Sequence, residues 1–191
     1  MEKALLRKSV IGQLRELTVS QHAQMSSAIL EKLLEDPEFQ KSETIGVTIS
    51  RWPEVDTIPL VEACWQLGKK VAAPKCFATD RTMDFRLIRT LSQLEVVYMD
   101  LQEPIESQTQ AIGPESIDLL IVPGVVFTES GYRIGFGGGY YDRYLSGFSG
   151  KTRSLAFEFQ LAGELPIESH DIPVDGIITE QRIIDSKAVR E

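Results

Sequence analysis

Residues 118–145 read DLLIVPGVVFTESGYRIGFGGGYYDRYL. Leu119 to Val122 is an unbroken apolar run, which reads as a buried strand, and Pro123 with Gly124 ends it. A polar turn at Thr128–Gly131 leads to Arg133, and glycines follow at 135, 137, 138 and 139. Tyr140, Tyr141, Asp142 and Arg143 then open a helix expected over 139–147. A strand that passes to a helix through a glycine loop, with an arginine and an aspartate beside it, has the parts of an anion site.

Outward from that strand the alternation repeats. Residues 3–17 predict an amphipathic helix with Leu6, Val10, Leu14 and Leu17 on one face, and Lys3 and Arg7 share a face as i,i+4 neighbours. Ser20 reads as the N-cap of a second helix over 20–35, stopped by Asp36-Pro37. Thr44–Ser50 is strand-like, 51–56 is a loop, Thr57 caps a helix to Leu67, and Lys70–Pro74 is the next strand. That β-α-β order predicts two parallel strands. Met83–Arg89 alternates as a half-buried strand, and 90–116 reads as an irregular polar connection with a short helix near 91–95. Thr152–Phe157 and Gly176–Thr179 close the set. The expected fold is α/β, a mostly parallel sheet with helices on both faces, in one domain over 1–191. Loops 51–56, 75–82 and 123–139 leave strand carboxyl ends and are expected to converge on one crevice.

Composition narrows the function. With 42% hydrophobic and 25% charged residues in 191, the chain can bury a substantial core. No apolar run reaches the roughly 20 residues a bilayer span needs. The N-terminus, which alternates charged and apolar residues, lacks a signal-peptide core, so a cytoplasmic location is expected. Two cysteines and two histidines leave little for a zinc site. A net charge of −8 argues against a general nucleic-acid or membrane binder. Two stretches are locally basic in this acidic chain: the first fifteen residues, with Lys3, Arg7, Lys8 and Arg15 against Glu2 alone, and 131–153, with Arg133, Arg143, Lys151 and Arg153 against Asp142 alone. Such islands suit local anion sites.

Glycines let a ligand approach the backbone, and consecutive N–H groups can hold phosphate oxygens. Asp142 would repel a bare phosphate, and it fits one that carries Mg2+. No GK[ST] follows, so the loop is no Walker A motif. It is a poor dinucleotide fingerprint too, since Gly135 comes thirteen positions after Val122. Taken alone, GFGGG reads equally as a tight turn into a helix.

The string PGVVFTESGYRIGFGGGYYDRYL nevertheless closely resembles the signature of the 5-formyltetrahydrofolate cyclo-ligase family, also called 5,10-methenyltetrahydrofolate synthetase. Pro123, Gly124, Phe127, Gly131, Arg133, Gly135, Gly137, Gly139, Tyr140, Tyr141 and Asp142 match in register. So do Lys3–Arg7, the loop from Ser50 to Thr57, and Pro173–Thr179, in order along nearly the whole chain.

The resemblance implies the fold type shared with ribose-5-phosphate isomerase and the CoA transferases. It also implies ATP- and Mg2+-dependent conversion of 5-formyltetrahydrofolate to 5,10-methenyltetrahydrofolate. By the same resemblance ATP would meet Lys3, Ala4, Leu5, Leu6 and Arg7, and Arg133, Ile134, Gly135, Phe136, Gly137, Gly138, Gly139, Tyr140 and Tyr141. The folate would meet Ile49, Glu54 and Phe136 to Tyr140, Mg2+ would sit on Asp142 and Asp175, and Arg133 and Tyr140 would be catalytic. Trp52 is a candidate wall for the pterin. Some members carry lysine where this chain has Gly138, so phosphate neutralisation here must lean on Arg133, Lys3 and Arg7. Two other readings stay open: a sugar-phosphate isomerase or CoA transferase on the same fold, and a non-catalytic nucleotide- or folate-binding module.

Overall fold

The computed structural model describes residues 2–191. Helices α1 (Lys3–Glu16) and α2 (Val19–Glu35) open the chain, and a short α3 (Pro37–Lys41) leads into β1 (Thr44–Val47). Helix α4 (Ile58–Gln66) carries the chain to β2 (Lys70–Phe77), which turns back as β3 (Thr82–Ile88). Short strands β4 (Leu94–Val96), β5 (Gln102–Pro104) and β6 (Gln110–Ile112) precede β7 (Leu119–Ile121). A two-residue hairpin follows, β8 (Val126–Phe127) and β9 (Arg133–Ile134), then α5 (Tyr140–Leu145) and β10 (Lys151–Leu155). The chain ends with β11 (Gly176–Ile178), β12 (Ile183–Asp185) and α6 (Ser186–Arg190).

One eight-stranded sheet runs β12-β11-β10-β7-β1-β2-β3-β6. Its centre, β11 to β2, is parallel, and the antiparallel strands lie outside it. The β1-α4-β2 unit is parallel, as its sequence order predicts. Apolar residues cover both faces. Leu14, Ile29, Leu33, Leu60 and Val61 bury one side against Ile45, Val47 and Leu119. Phe85, Leu120, Phe127, Leu145 and Ile177 fill the other.

The structure differs from the sequence reading where local polar contacts outweigh pattern. Helix α2 begins at Val19 because Thr18 and Gln21 cap it reciprocally, Gln21 N to Thr18 Oγ1 at 3.1 Å and Thr18 N to Gln21 Oε1 at 3.0 Å. Ser20 alone would satisfy one donor where this pair satisfies two. The expected 75–82 loop shrinks to the hairpin tip at 78–81, because β2 and β3 pair from Val71 to Phe77. The expected connection at 90–116 carries three short strands. Buried Arg86 pins it, its Nε donating to Thr109 Oγ1 at 2.9 Å and its Nη2 to the Thr109 carbonyl at 2.7 Å. Among the described residues no helix is long and apolar enough to cross a membrane.

Candidate active site

The glycine loop hangs between β9 and α5. Gly137 (φ 99°) and Gly139 (φ 72°) occupy left-handed backbone that side-chain-bearing residues rarely adopt. At Gly138 a β-carbon would lie 2.6 Å from Cδ2 of the Tyr140 ring, so a larger residue there needs that ring to move. Helix α5 spans six residues, so its dipole is a smaller aid to an anion than the expected 139–147 helix implied. Arg7 reaches the loop from α1, its Nε donating to the Gly135 carbonyl at 2.8 Å. The Arg51 guanidinium lies 5.9 Å from the centre of the half-exposed Phe136 ring.

The expected cations divide by their partners. The Arg133 side chain is only 5% exposed, with Nη2 donating to Asp142 Oδ1 at 3.1 Å and Nη1 to the Ile172 carbonyl at 2.8 Å. Burial pulls its pKa below the usual arginine value and Asp142 opposes that pull. Arg133 is therefore committed to the protein in this arrangement, where a contact with phosphate was expected. Lys3 is committed as well, with Nζ 2.8 Å from both Glu168 and Asp171. Those two acids and His170 form a group with metal-like spacing, and the Lys3 ammonium sits against both carboxylates and offsets one of their two charges. Arg7 has no carboxylate within ion-pair distance among the described residues, which leaves its charge for a ligand.

The second wall comes from the chain leaving β1. Ser50 and Thr57 clasp the base of this loop reciprocally, each amide donating to the other's hydroxyl at 2.9 Å. At the tip the Arg51 amide donates to Glu54 Oε2 at 2.8 Å. Desolvation raises the pKa of Glu54, and this Arg51 contact counters it only in part. Thr48, Ser50, Glu54, Val55, Pro123 and Gly124 line a cavity of about 40 Å³ at the carboxyl ends of β1 and β7. That volume holds waters and no ring, so a larger ligand would lie across its mouth. Trp52, in the same loop, is 51% exposed.

Loops 51–56 and 123–139 thus converge as expected, while the 78–81 tip does not line the cavity. Ile49 is 1% exposed in the core and is not open to a ligand in this arrangement. The Tyr141 hydroxyl pairs with Thr48, and burial pushes its phenol above the usual range. Tyr141 faces inward, and Tyr140 covers Gly138. His22, to which the sequence assigned no role, has Nε2 2.6 Å from the Glu54 carbonyl.

The two expected metal ligands have different partners. Asp142 accepts through Oδ1 from Arg133 and from the Ile172 amide at 3.3 Å. Asp175 accepts through Oδ2 from the Thr152 amide at 3.0 Å and the Thr152 hydroxyl at 3.1 Å. Among the described residues no hydrogen bond reaches Oδ2 of Asp142 or Oδ1 of Asp175. Asp142 keeps one oxygen for a hard cation beside the glycine loop, and that donor chemistry suits Mg2+. Asp175 instead lines a separate cavity with Lys151, Arg153 and Asp185 at the amino ends of β10 and β11, so the expected pair is not brought together in this arrangement.

Comparison with known proteins accords with this geometry. The profile of the 5-formyltetrahydrofolate cyclo-ligase family matches residues 1–180. The 5-formyltetrahydrofolate cyclo-ligase of Escherichia coli (strain K12) is 31% identical over 174 residues, covering 88% of this chain and 95% of its own. The mouse protein of the same name is 27% identical over 188 residues, covering 92% of each. The NMR structure of Aquifex aeolicus 5,10-methenyltetrahydrofolate synthetase superposes with a TM-score of 0.86 at 32% identity, covering 98% of this chain and 94% of that one. The match runs through α1, the loop after β1 and the glycine loop together, and the chain belongs to the 5-formyltetrahydrofolate cyclo-ligase family of enzymes.

Proposed function

We propose that the protein converts 5-formyltetrahydrofolate to 5,10-methenyltetrahydrofolate, consuming ATP with Mg2+ and releasing ADP and phosphate. One observation carries the reading. Arg7 from the first helix and Arg51 from the loop after β1 both meet the same glycine loop, at Gly135 and at Phe136. A nucleotide held by α1 and a folate held by Glu54 would then share that loop.

The formyl oxygen is a poor leaving group until it is phosphorylated. Its attack on the γ-phosphorus releases ADP and leaves an iminium phosphate at N5. N10 of the same folate attacks that carbon, phosphate departs with the former carbonyl oxygen, and N10 gives up its proton as the methenyl bridge closes. No protein nucleophile is needed. In agreement, burial pushes the Cys64 and Cys76 thiols up to about 12, so neither supplies a thiolate near neutral pH. The chain's work is positioning and charge. Amides of Gly135–Gly139 would hold phosphate oxygens, Arg7 would add a full charge, and Glu54 would accept N–H bonds from the pterin. Tyr140, over Gly138, would close the folate side of the loop. Arg133 acts through Asp142 and Ile172 and is a positioning residue. Asp142 would hold Mg2+, which would supply charge neutralisation for the transferring phosphoryl group.

The direct test mixes protein, 5-formyltetrahydrofolate, Mg2+ and ATP and follows methenyltetrahydrofolate absorbance and ADP. Product that requires ATP supports the ligase, and binding without turnover would point to a binding module instead. Asp142→Asn refines the metal assignment. Asparagine keeps the Oδ1 acceptor for Arg133 and loses only the charged Oδ2, so the Mg2+ concentration for half-maximal rate should rise about tenfold, or 1.4 kcal/mol. An unchanged Mg2+ titration removes Asp142 from the metal site.

A further inference from the structure

We propose that His22 is a positioning residue for the folate, holding from α2 the turn that carries Trp52 and Glu54. The inference rests on the folate reading above. His22 and Ser26 are i,i+4 neighbours on α2 and are both buried, at 8% and 5% exposure. They continue the stripe of Ile29 and Leu33, which seats the helix in the core. The apolar half of that stripe anchors α2, and the polar half grips the loop by its backbone.

His22 Nε2 lies 2.6 Å from the Glu54 carbonyl, and Ser26 Oγ accepts from the Asp56 amide at 3.2 Å. A carbonyl only accepts, so Nε2 carries the hydrogen. The remaining main-chain hydrogen bonds of residues 51–54 close within the loop: Glu54 N to the Arg51 carbonyl, and Arg51 N to the Glu54 carboxylate. Among the described residues, the His22 contact is the sole hydrogen bond tying that main chain to the body of the protein. The imidazole also packs between Trp52, 4.4 Å between ring centres, and Phe157, at 5.6 Å. One side chain thus holds both the main chain that carries the Glu54 carboxylate and the ring of Trp52.

His22→Phe keeps an aromatic ring between Trp52 and Phe157 and removes the donor. His22→Gln brings an amide N–H back to nearly the same place. Calorimetric titration should show 5-formyltetrahydrofolate binding about tenfold weaker in His22→Phe, largely recovered in His22→Gln, with Mg2+·ATP binding unchanged in both. A purely structural histidine would instead weaken both ligands together as the melting temperature fell, and that result overturns the inference. If His22→Phe does not fold, Ser26→Ala removes the second grip and is held to the same standard: selective loss of folate binding supports the inference, and equal loss or none overturns it. A wild-type protein that binds no folate overturns the proposed function and this inference together. Wild-type binding with an equal dissociation constant in His22→Phe overturns the inference alone.

Discussion

Arg7→Ala is expected to lower kcat/KM for ATP by about 10²–10³ while the protein stays folded. Of the cations expected at the phosphates, Lys3 is held by Glu168 and Asp171, and Arg133 by Asp142. Arg7 alone among them brings an uncommitted charge to the loop, and it also fixes the loop through the Gly135 carbonyl. Removing it loses charge stabilisation and positioning at once, which sets the upper end of the range. Stability should barely respond, since Arg7 has no ion pair and substitutions on partly exposed faces usually stay within about 0.5 kcal/mol. Arg7→Lys restores charge without the planar fork and should fall between the two. Lys3→Ala is the control, with a smaller effect, because its charge is already compensated. Steady-state kinetics at varied ATP and a thermal melt decide it: wild-type kinetics in Arg7→Ala would remove α1 from the nucleotide site.

The parallel centre of the sheet was legible because β1, β2, β7 and β11 are short apolar runs between turn residues. The β8–β9 hairpin was not, since two residues per strand carry no period to read. Strands β4 to β6 escaped because their segment is polar and is ordered by partners that pattern cannot show, such as the buried Arg86. The glycine loop stood out by composition and its chemistry by resemblance, yet neither foretold that Arg133 would be buried. That depends on the Ile172 carbonyl, 39 residues away. His22 was equally invisible: a lone histidine in a helix shows its role only once α2 is seen against the loop.

Glu54→Gln should pull stability and binding in opposite directions. Burial raises the Glu54 pKa, with Arg51 opposing. The folded chain therefore takes up this proton at a higher pH than the unfolded chain does. Holding the carboxylate ionised costs stability above the folded pKa, and the cost disappears as pH falls to the unfolded value. Glutamine carries no such cost and its carbonyl can still accept from the Arg51 amide. The variant should melt at or above the wild type at pH 8, with the gap narrowing on acidification. Folate binding moves the other way. A hydrogen bond to a charged acceptor contributes about 1.5–3 kcal/mol, so losing it should raise KM for 5-formyltetrahydrofolate roughly 10- to 100-fold, with KM for ATP little changed. The wild-type folate KM should itself climb as pH drops through the raised Glu54 pKa, and the variant should lack that inflection. A destabilised variant with an ordinary folate KM would make Glu54 a structural carboxylate. A more stable variant with a selectively raised folate KM would show that the cost of burying this charge is retained because the substrate needs it.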